Sequence, residues 1–253
     1  MAAVGDAWST RSVISPSDID AVVFDMGGVF VVPCPDQIAP VFDAAGVVHD
    51  YGEHNAGDAH YLGIRALSDL LGTTTFDETN ISVWDAYDRA AFAAVGVPAD
   101  HLDAAIAARH EQRTVHQHVW EHRLAHNIDA FARIATVRSV AIVTNNNGTA
   151  IDQCRRHGIC QIGDGPLTSV PAIVDSEILK ISKPDPRIFT PALDALETEP
   201  GRTLYVGDTV HADVHGATAA GMPVVQLDPL DLHGDFDHWR LPDVVALAEH
   251  LGA

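Results

Sequence analysis

Asp25 closes an apolar run, Ala21-Val22-Val23-Phe24, and is followed at once by Met26-Gly27-Gly28-Val29. Such a run reads as a buried strand, and a carboxylate delivered from its end onto a glycine turn is placed to act as a nucleophile. The glycines let main-chain N–H groups approach a ligand oxygen closely. Three later segments have the same character. Val140-Ala141-Ile142-Val143 leads to Thr144 and Asn145, whose hydroxyl and amide suit an oxyanion. Lys183, one of only two lysines with Lys180, precedes Pro184-Asp185-Pro186 and offers a cation just before a helix start. Leu204-Tyr205-Val206-Gly207 ends in Asp208, with Asp213 five residues further on. Two carboxylates after a strand suit a hard cation such as Mg²⁺, which takes oxygen ligands and usually one or two protein carboxylates. Each segment also has a plain structural use: a turn former at Asp25, a polar turn at Asn145-Asn146-Asn147-Gly148, a solvated Lys183, a helix N-cap at Asp208.

These side chains meet only if the strands that end in them lie side by side. Apolar runs predict strands at about 20–25, 139–144, 172–174, 202–206 and 223–227, alternating with helices at about 122–135, 149–158, 186–197, 211–220 and 242–251. That alternation implies a parallel sheet with helices on both faces, an α/β fold of the doubly wound kind. Ligands then bind beyond the carboxyl ends of the strands, where Asp25, Thr144 and Asp208 all fall. Residues 33–118 break the alternation. They are rich in Ala, Asp and His and carry helical spacing, as in Leu62, Arg65, Ala66, Asp69 and Leu70, in Trp84, Tyr87 and Ala91, and in the stretch from Ala99 to Arg109. We read them as a helical second domain inserted into an α/β core of residues 19–32 and 119–253, with 1–18 as a tail or edge extension.

The formal charge of −20, with 15 Lys plus Arg, argues against nucleic acid and membrane as partners. A small anionic substrate stays compatible with it, because a bound cation and one lysine reverse the field locally. Protonation of the fifteen histidines would move the charge well toward zero in mild acid. Cys34, Cys154 and Cys160 form no CxxC pair, which fits a reducing cytoplasm. No secretory signal and no 18-residue apolar stretch is present in the sequence.

In order and placement the four segments resemble the haloacid dehalogenase-like (HAD) superfamily, over roughly 18–32 and 122–253. The likeness is strongest in Ser182-Lys183-Pro184-Asp185-Pro186-Arg187-Ile188-Phe189 and from Val206-Gly207-Asp208-Thr209 through Asp213-Val214-His215-Gly216-Ala217. The resemblance implies a Rossmann-like core, a helical cap inserted after the first motif, and phosphoryl transfer through an aspartyl phosphate. It casts Asp25 as the nucleophile. It gives Mg²⁺ to Asp25, the main-chain carbonyl of Gly27, Asp208, and Asp213 directly or through water. Thr144, Asn145 and Lys183 would bind the phosphoryl group. The expected activity is that of a Mg²⁺-dependent phosphatase of a small phosphorylated metabolite, in a monomer or homodimer.

One position departs from the pattern. The family's phosphatases usually carry a second aspartate two residues after the nucleophile, to protonate the leaving group, and here that residue is Gly27. A positioned acid–base contributes about 10²–10⁴ in rate. Either another group supplies the proton (Asp36, His49, His54 or His60), or the leaving group needs little help, or the chain is a weak catalyst. A dehalogenase and a non-catalytic binding protein of the same fold are the rival readings. The absence of any lysine from 33–118 speaks against phosphonate cleavage by a cap Schiff base. A separate match, His118-Val119-Trp120-Glu121-His122, has the H-x-x-E-H zinc spacing, with His126 one turn further on a helix. In a chain with fifteen histidines we read it as a structural or solvated face.

Overall fold

The structure is a computed structural model that describes residues 13–71, 81–115 and 119–253. Two compact units make up the chain, Met1–Phe30 with Ala125–Ala253, and Val31–Leu124. The strands are β1 (Ala21–Phe24), β2 (Val31–Pro33), β3 (Trp120–Arg123), β4 (Ser139–Thr144), β5 (Gln161–Ile162), β6 (Ser169–Val170), β7 (Ile173–Asp175), β8 (Thr203–Gly207), β9 (Val224–Leu227) and β10 (Trp239–Leu241).

In the first unit, β10-β9-β8-β1-β4-β7 form one six-stranded sheet, parallel at every pairing. β1 and β8 are buried at every residue, as continuous apolar runs in a sheet covered on both faces must be. The chain runs outward from β1 to β4 and β7 on one side, and from β8 to β9 and β10 on the other. The strand order therefore reverses beside β1, which is where open α/β sheets place a ligand. Register puts Phe24 opposite both Ile142 and Val206, so Asp25 and the ends of β4 and β8 arrive at one level. One face packs Val23, Val143 and Tyr205 against Ile188, Phe189 and Ala217. On the other, Phe24, Phe30 and Phe131 meet edge-on or tilted, with Phe131 centroids 5.2 Å from both partners. Helices α5 (Ala125–Ile134) and α10 (Val244–Leu251) lie on that side and share Asn127, whose amide donates to Val29 O at 2.7 Å and accepts from Val244 N at 3.0 Å. The turn that follows Asp25 is thereby tied to two helices.

The second unit holds α1 (Pro35–Ala44), α2 (Ala56–Leu71), α3 (Ile81–Ala94) and α4 (Leu102–Val115) around a core that includes Phe42, Ile64, Tyr87, Phe92 and Ile106. It is bounded by β2 and β3, which pair antiparallel, Val32 opposite His122. That pairing corrects the helix expected from 122: residues 120–123 extend to meet β2, and α5 begins only at Ala125. His118 lies outside the described residues, and His122 and His126 fall on different elements, a strand and a helix.

The helices expected at 186–197 and 211–220 each begin irregularly. A 3₁₀ turn at Pro186–Phe189 precedes α8 (Thr190–Leu196), and one π-helical turn at Val210–Val214 precedes α9 (His215–Ala219). α6 (Ala150–Arg156) and α7 (Ser176–Leu179) complete the unit. No helix among the described residues is long and apolar enough to cross a membrane.

β10 was not expected, because its centre is Arg240 rather than an apolar residue. Arg240 is buried and pairs with Asp228 at 2.8 Å and Asp231 at 2.7 Å. Asp228 also accepts from Leu232 N at 3.0 Å and His233 N at 2.9 Å. Burial alone would raise Asp228, but the His233 and Leu232 donors outweigh it and hold the carboxyl below its usual range. Asp228→Asn leaves a buried guanidinium with only the half-exposed Asp231, and a loss of about 3 kcal/mol is expected in urea unfolding at neutral pH. The folded pKa is depressed, so this contribution is present above about pH 4 and fades as pH falls further. The gap between wild type and variant should therefore close in acid.

Candidate active site

Asp25 leaves β1 with its N–H donating to Val206 O at 2.8 Å, which fixes its main chain against β8. The chain then turns tightly, with Phe30 N donating to Met26 O at 2.9 Å. Gly28 is required there twice over. Its φ is +68°, and a Cβ would stand 2.1 Å from Asp208 Oδ2. The glycine thus makes room for the Asp208 carboxylate beside the Asp25 turn. Gly207 does the same on β8, where a Cβ would stand 2.3 Å from Asp213 Cγ.

Asp213 is the hub. Its Oδ1 accepts from Lys183 Nζ at 2.6 Å and from the Tyr205 hydroxyl at 3.0 Å. Its Oδ2 accepts from Asp208 N at 3.2 Å, Thr209 N at 2.9 Å and Thr209 Oγ1 at 2.6 Å. The π-helical turn aims the carboxylate back at its own N-terminus, so Thr209 and Asp213 cap each other. π turns of this kind recur at functional sites.

Lys183 is buried and bridges the two strand ends. Its Nζ reaches Asp25 Oδ1 at 3.0 Å as well as Asp213, and donates to the Tyr205 hydroxyl at 3.0 Å. Its main chain is held by Asn145, whose Oδ1 accepts from Lys183 N at 2.8 Å and whose Nδ2 donates to Lys183 O at 3.2 Å. Pro184 packs on Gly216 of α9, where a Cβ would approach Pro184 Cα to 3.1 Å. Thr144 is buried at the end of β4, two residues past the Phe24–Ile142 pairing and so beside the Asp25 turn.

One carboxylate oxygen from each of Asp25, Asp208 and Asp213 lies within 4.8 Å of the others. Asp25 and Asp213 share the Lys183 ammonium, and the buried Asp208 carboxylate lies beside them. Beyond its contact with Lys183, Asp25 Oδ1 is buried without a hydrogen bond. Burial raises Asp25 to about 7; Lys183 opposes the rise, while Asp213 and Asp208 add to it. Lys183 goes the other way: burial lowers it, but Asp213 and Asp25 together lift it above the ordinary lysine range. Despite burial, Asp213 is held below its usual value by Lys183 and Thr209. The cluster is short of positive charge and supplies only oxygen donors, the chemistry of a hard divalent cation. Asp213 fits this less well than Asp25 and Asp208. A carboxylate offers about four lone-pair sites, and five donors already converge on Asp213.

Tyr205 and Gln226 belong to this site and were not expected in it. Tyr205 reads as one more apolar residue of β8, yet its hydroxyl joins Lys183 to Asp213 and also reaches Val143 O at 3.3 Å. Gln226 on β9 donates to Asp208 O at 2.8 Å and accepts from His238 Nε2 at 2.6 Å. The lone polar residue within the apolar run Val224-Val225-Gln226-Leu227 was the available signal. The candidate proton donors in the helical unit are engaged there. His49 pairs with Asp43 at 3.2 Å, His54 lies 3.5 Å from Asp50, and His60 is buried against the Tyr87 hydroxyl at 2.8 Å. Asp36 sits in the first turn of α1.

A protein-family model described as haloacid dehalogenase-like hydrolase matches residues 19–221. A glyceraldehyde 3-phosphate phosphatase from Methanopyrus kandleri is 40% identical over 55 residues, 22% of this chain and 24% of that protein. A phosphoserine phosphatase from Thermus thermophilus is 33% identical over 100 residues, 40% of this chain and 39% of that protein. The chain thus matches well under half the length of either relative. Among solved structures, a 2-haloacid dehalogenase from Pseudomonas syringae aligns at TM-score 0.53 and 22% identity, over 92% of this chain and 98% of that one. The HAD-hydrolase YfnB from Bacillus subtilis, bound to magnesium, aligns at TM-score 0.57 and 17% identity, over 93% of this chain and 99% of that one. At these identities the structural likeness is one of fold.

Proposed function

The chain belongs to the haloacid dehalogenase-like hydrolases, and on that premise we propose that it is a Mg²⁺-dependent phosphatase of a small phosphorylated metabolite. The observation that carries this reading is the buried group of three carboxylates around one lysine. The two curated relatives named above are both phosphatases, which favours the same reading over the short segments matched.

In this proposal the Asp25 carboxylate attacks phosphorus and the bond to the leaving oxygen breaks, giving an aspartyl phosphate. Water then attacks that phosphorus, releasing inorganic phosphate and restoring Asp25. Asp25, the Gly27 carbonyl and Asp208 would hold Mg²⁺, which when bound neutralises phosphate charge and orients it for in-line attack. Asp213 takes a positioning role, because its oxygens are already committed to Lys183, Tyr205 and the 208–209 turn. Lys183 meets the charge on Asp25 and on the phosphoryl oxygens, and the Thr144 hydroxyl donates to one of them. Asn145 acts mainly by fixing the Lys183 main chain. Free thiols at Cys34, Cys154 and Cys160 support a reducing, cytoplasmic setting, and we expect a monomer or homodimer.

Chelation is the direct test. EDTA should abolish hydrolysis across a panel of phosphorylated metabolites, and added Mg²⁺ should restore it. The second reading, a dehalogenase, is favoured by Gly27, which carries no acid. It prevails if 2-haloacids are turned over in EDTA while phosphate esters are untouched.

Gly27 also sets an expectation within the phosphatase reading. With no carboxylic acid two residues from Asp25, the leaving oxygen is protonated late, and the cost grows with its pKa. Aryl and anomeric phosphates should therefore outrun primary alkyl phosphates in kcat/KM. Gly27→Asp, if tolerated, should narrow that difference. A flat series in the wild type would show that another residue already supplies the proton.

A further inference from the structure

β9 and β10 carry a row of buried polar residues in a sheet whose central strand, β1, is wholly apolar. Gln226 and Asp228 stand two apart along one strand line, and His238 and Arg240 two apart along the next, with Gln226 in register with Arg240. Two-residue spacing puts all four on one face. The polarity of the Gln226–His238 pair is fixed from one end. The Asp208 carbonyl can only accept, so the end of Gln226 that meets it at 2.8 Å is the amide Nε2. Oε1 therefore faces His238 Nε2 at 2.6 Å, and that nitrogen carries the proton. No charge on His238 is needed for this. Burial, with His233 and Arg240 nearby, pushes its imidazole down to about 4, so the neutral Nε2–H tautomer is present at neutral pH.

Asp208 stands one residue past the end of the β8–β9 ladder, whose last pairing is Gly207 with Gln226. Its main chain is held on both sides instead. The N–H donates to Asp213 Oδ2 at 3.2 Å, and the carbonyl accepts from Gln226. Together the two bonds fix the peptide planes that flank the Asp208 Cα, and with them the direction in which its carboxylate joins Asp25 and Asp213. One clamp comes from inside the carboxylate group and the other from the polar row.

We propose that Gln226 is a positioning residue for the Asp208 carboxylate, and that His238 acts through it by locking its amide the right way round. The proposal rests on the metal-dependent reading of the site and gives these two residues control of cation affinity rather than a chemical step. An apolar side chain would fill the place in the sheet without needing hydrogen bonds, whereas a buried amide and imidazole must each be matched. What the amide adds is a donor aimed at the Asp208 carbonyl. Removing a group that orients a metal ligand without touching the metal typically costs about 10–100-fold in affinity.

The test is a Mg²⁺ titration of the full-length chain, read first as the rise in Tm without substrate and then as hydrolysis of p-nitrophenyl phosphate. In Gln226→Met the half-saturating Mg²⁺ concentration should rise by about 10–100-fold in both readouts, while kcat at saturating Mg²⁺ falls far less than the half-point rises. His238→Phe should shift the half-point the same way by a smaller factor, because the amide remains but has lost its lock. His238→Gln again offers an N–H to Gln226 Oε1 and should return the half-point toward the wild-type value. Asp228→Asn breaks the same polar row away from Asp208, so it should lower Tm and leave the half-point in place. If Gln226→Met lowers Tm but keeps the wild-type half-point, the amide only packs the sheet, and the proposal falls while the metal reading of Asp25 and Asp208 stands. It falls as well if Asp228→Asn moves the half-point as far as Gln226→Met does, since general loosening then accounts for both. A wild type that responds to Mg²⁺ in neither readout overturns the metal reading itself and takes this proposal with it.

Discussion

Asp25→Asn is expected to lower turnover of any phosphate ester by at least ~10³-fold, at or above the contribution of a positioned acid–base. The amide keeps the shape of the carboxylate but has neither the negative charge that attacks phosphorus nor the full donor strength of a metal ligand. The fold should not suffer. Asp25 is buried, flanked by Asp208 and Asp213, and raised to about 7 by burial and by their repulsion. Neutralising it removes that repulsion, and Lys183 keeps its 2.6 Å bond to Asp213. The expected pair of results is therefore an inactive protein whose Tm equals or exceeds that of the wild type. Measured kcat and Tm on the same preparation check both halves. Turnover near the wild-type value would remove Asp25 from the mechanism, and a collapse in Tm would mean that its charge holds the fold together.

The parts of this site that were legible in the sequence share one property: each is a polar residue that ends an apolar run. Asp25, Thr144 and Asp208 stand out because a parallel strand buried on both faces reads as unbroken hydrophobicity until the residue where function begins. Lys183 stood out by rarity and by the Pro-Asp-Pro that follows it. Residues whose role depends on what they face across the sheet did not stand out. Tyr205 lies inside the run Leu204-Tyr205-Val206, and only the packed fold brings its hydroxyl to Lys183 and Asp213. Asn145, read from the sequence as a phosphate ligand, also has its amide spanning the Lys183 main chain 38 residues away, a contact that no local pattern encodes. β3 was read as helix because the partner that extends it, β2, lies almost ninety residues earlier, and β10 was missed because its buried Arg240 needs Asp228 to make it legible as core. Long-range pairing decides these cases, where local propensity is a weak guide.

Lys183→Met should be the most damaging single change at the site for stability, and it should cost activity as well. Lys183 Nζ is the ammonium shared by Asp25 at 3.0 Å and Asp213 at 2.6 Å, and it is buried with them. Methionine keeps the volume and the apolar stem but takes from Asp25 and Asp213 the ammonium they share, beside the buried Asp208. Removing one partner of a buried ion pair typically costs about 3–5 kcal/mol, and here two pairs share the lysine. Without metal, the variant should unfold at clearly lower urea than the wild type. Added Mg²⁺ should recover much of that loss, because it supplies positive charge to the same oxygens. It should not recover activity, which should stay at least ~10²–10³-fold down, since a preorganised cation aimed at the developing phosphoryl charge contributes on that scale. Lys183→Arg tests the geometry separately. The planar guanidinium is longer and cannot offer a compact point charge to three acceptors at once, so this variant should regain stability before it regains turnover. If Mg²⁺ stabilises wild type and Lys183→Met equally, the lysine and the metal do not serve the same carboxylates, and the charge argument for a divalent cation at Asp25 and Asp208 fails.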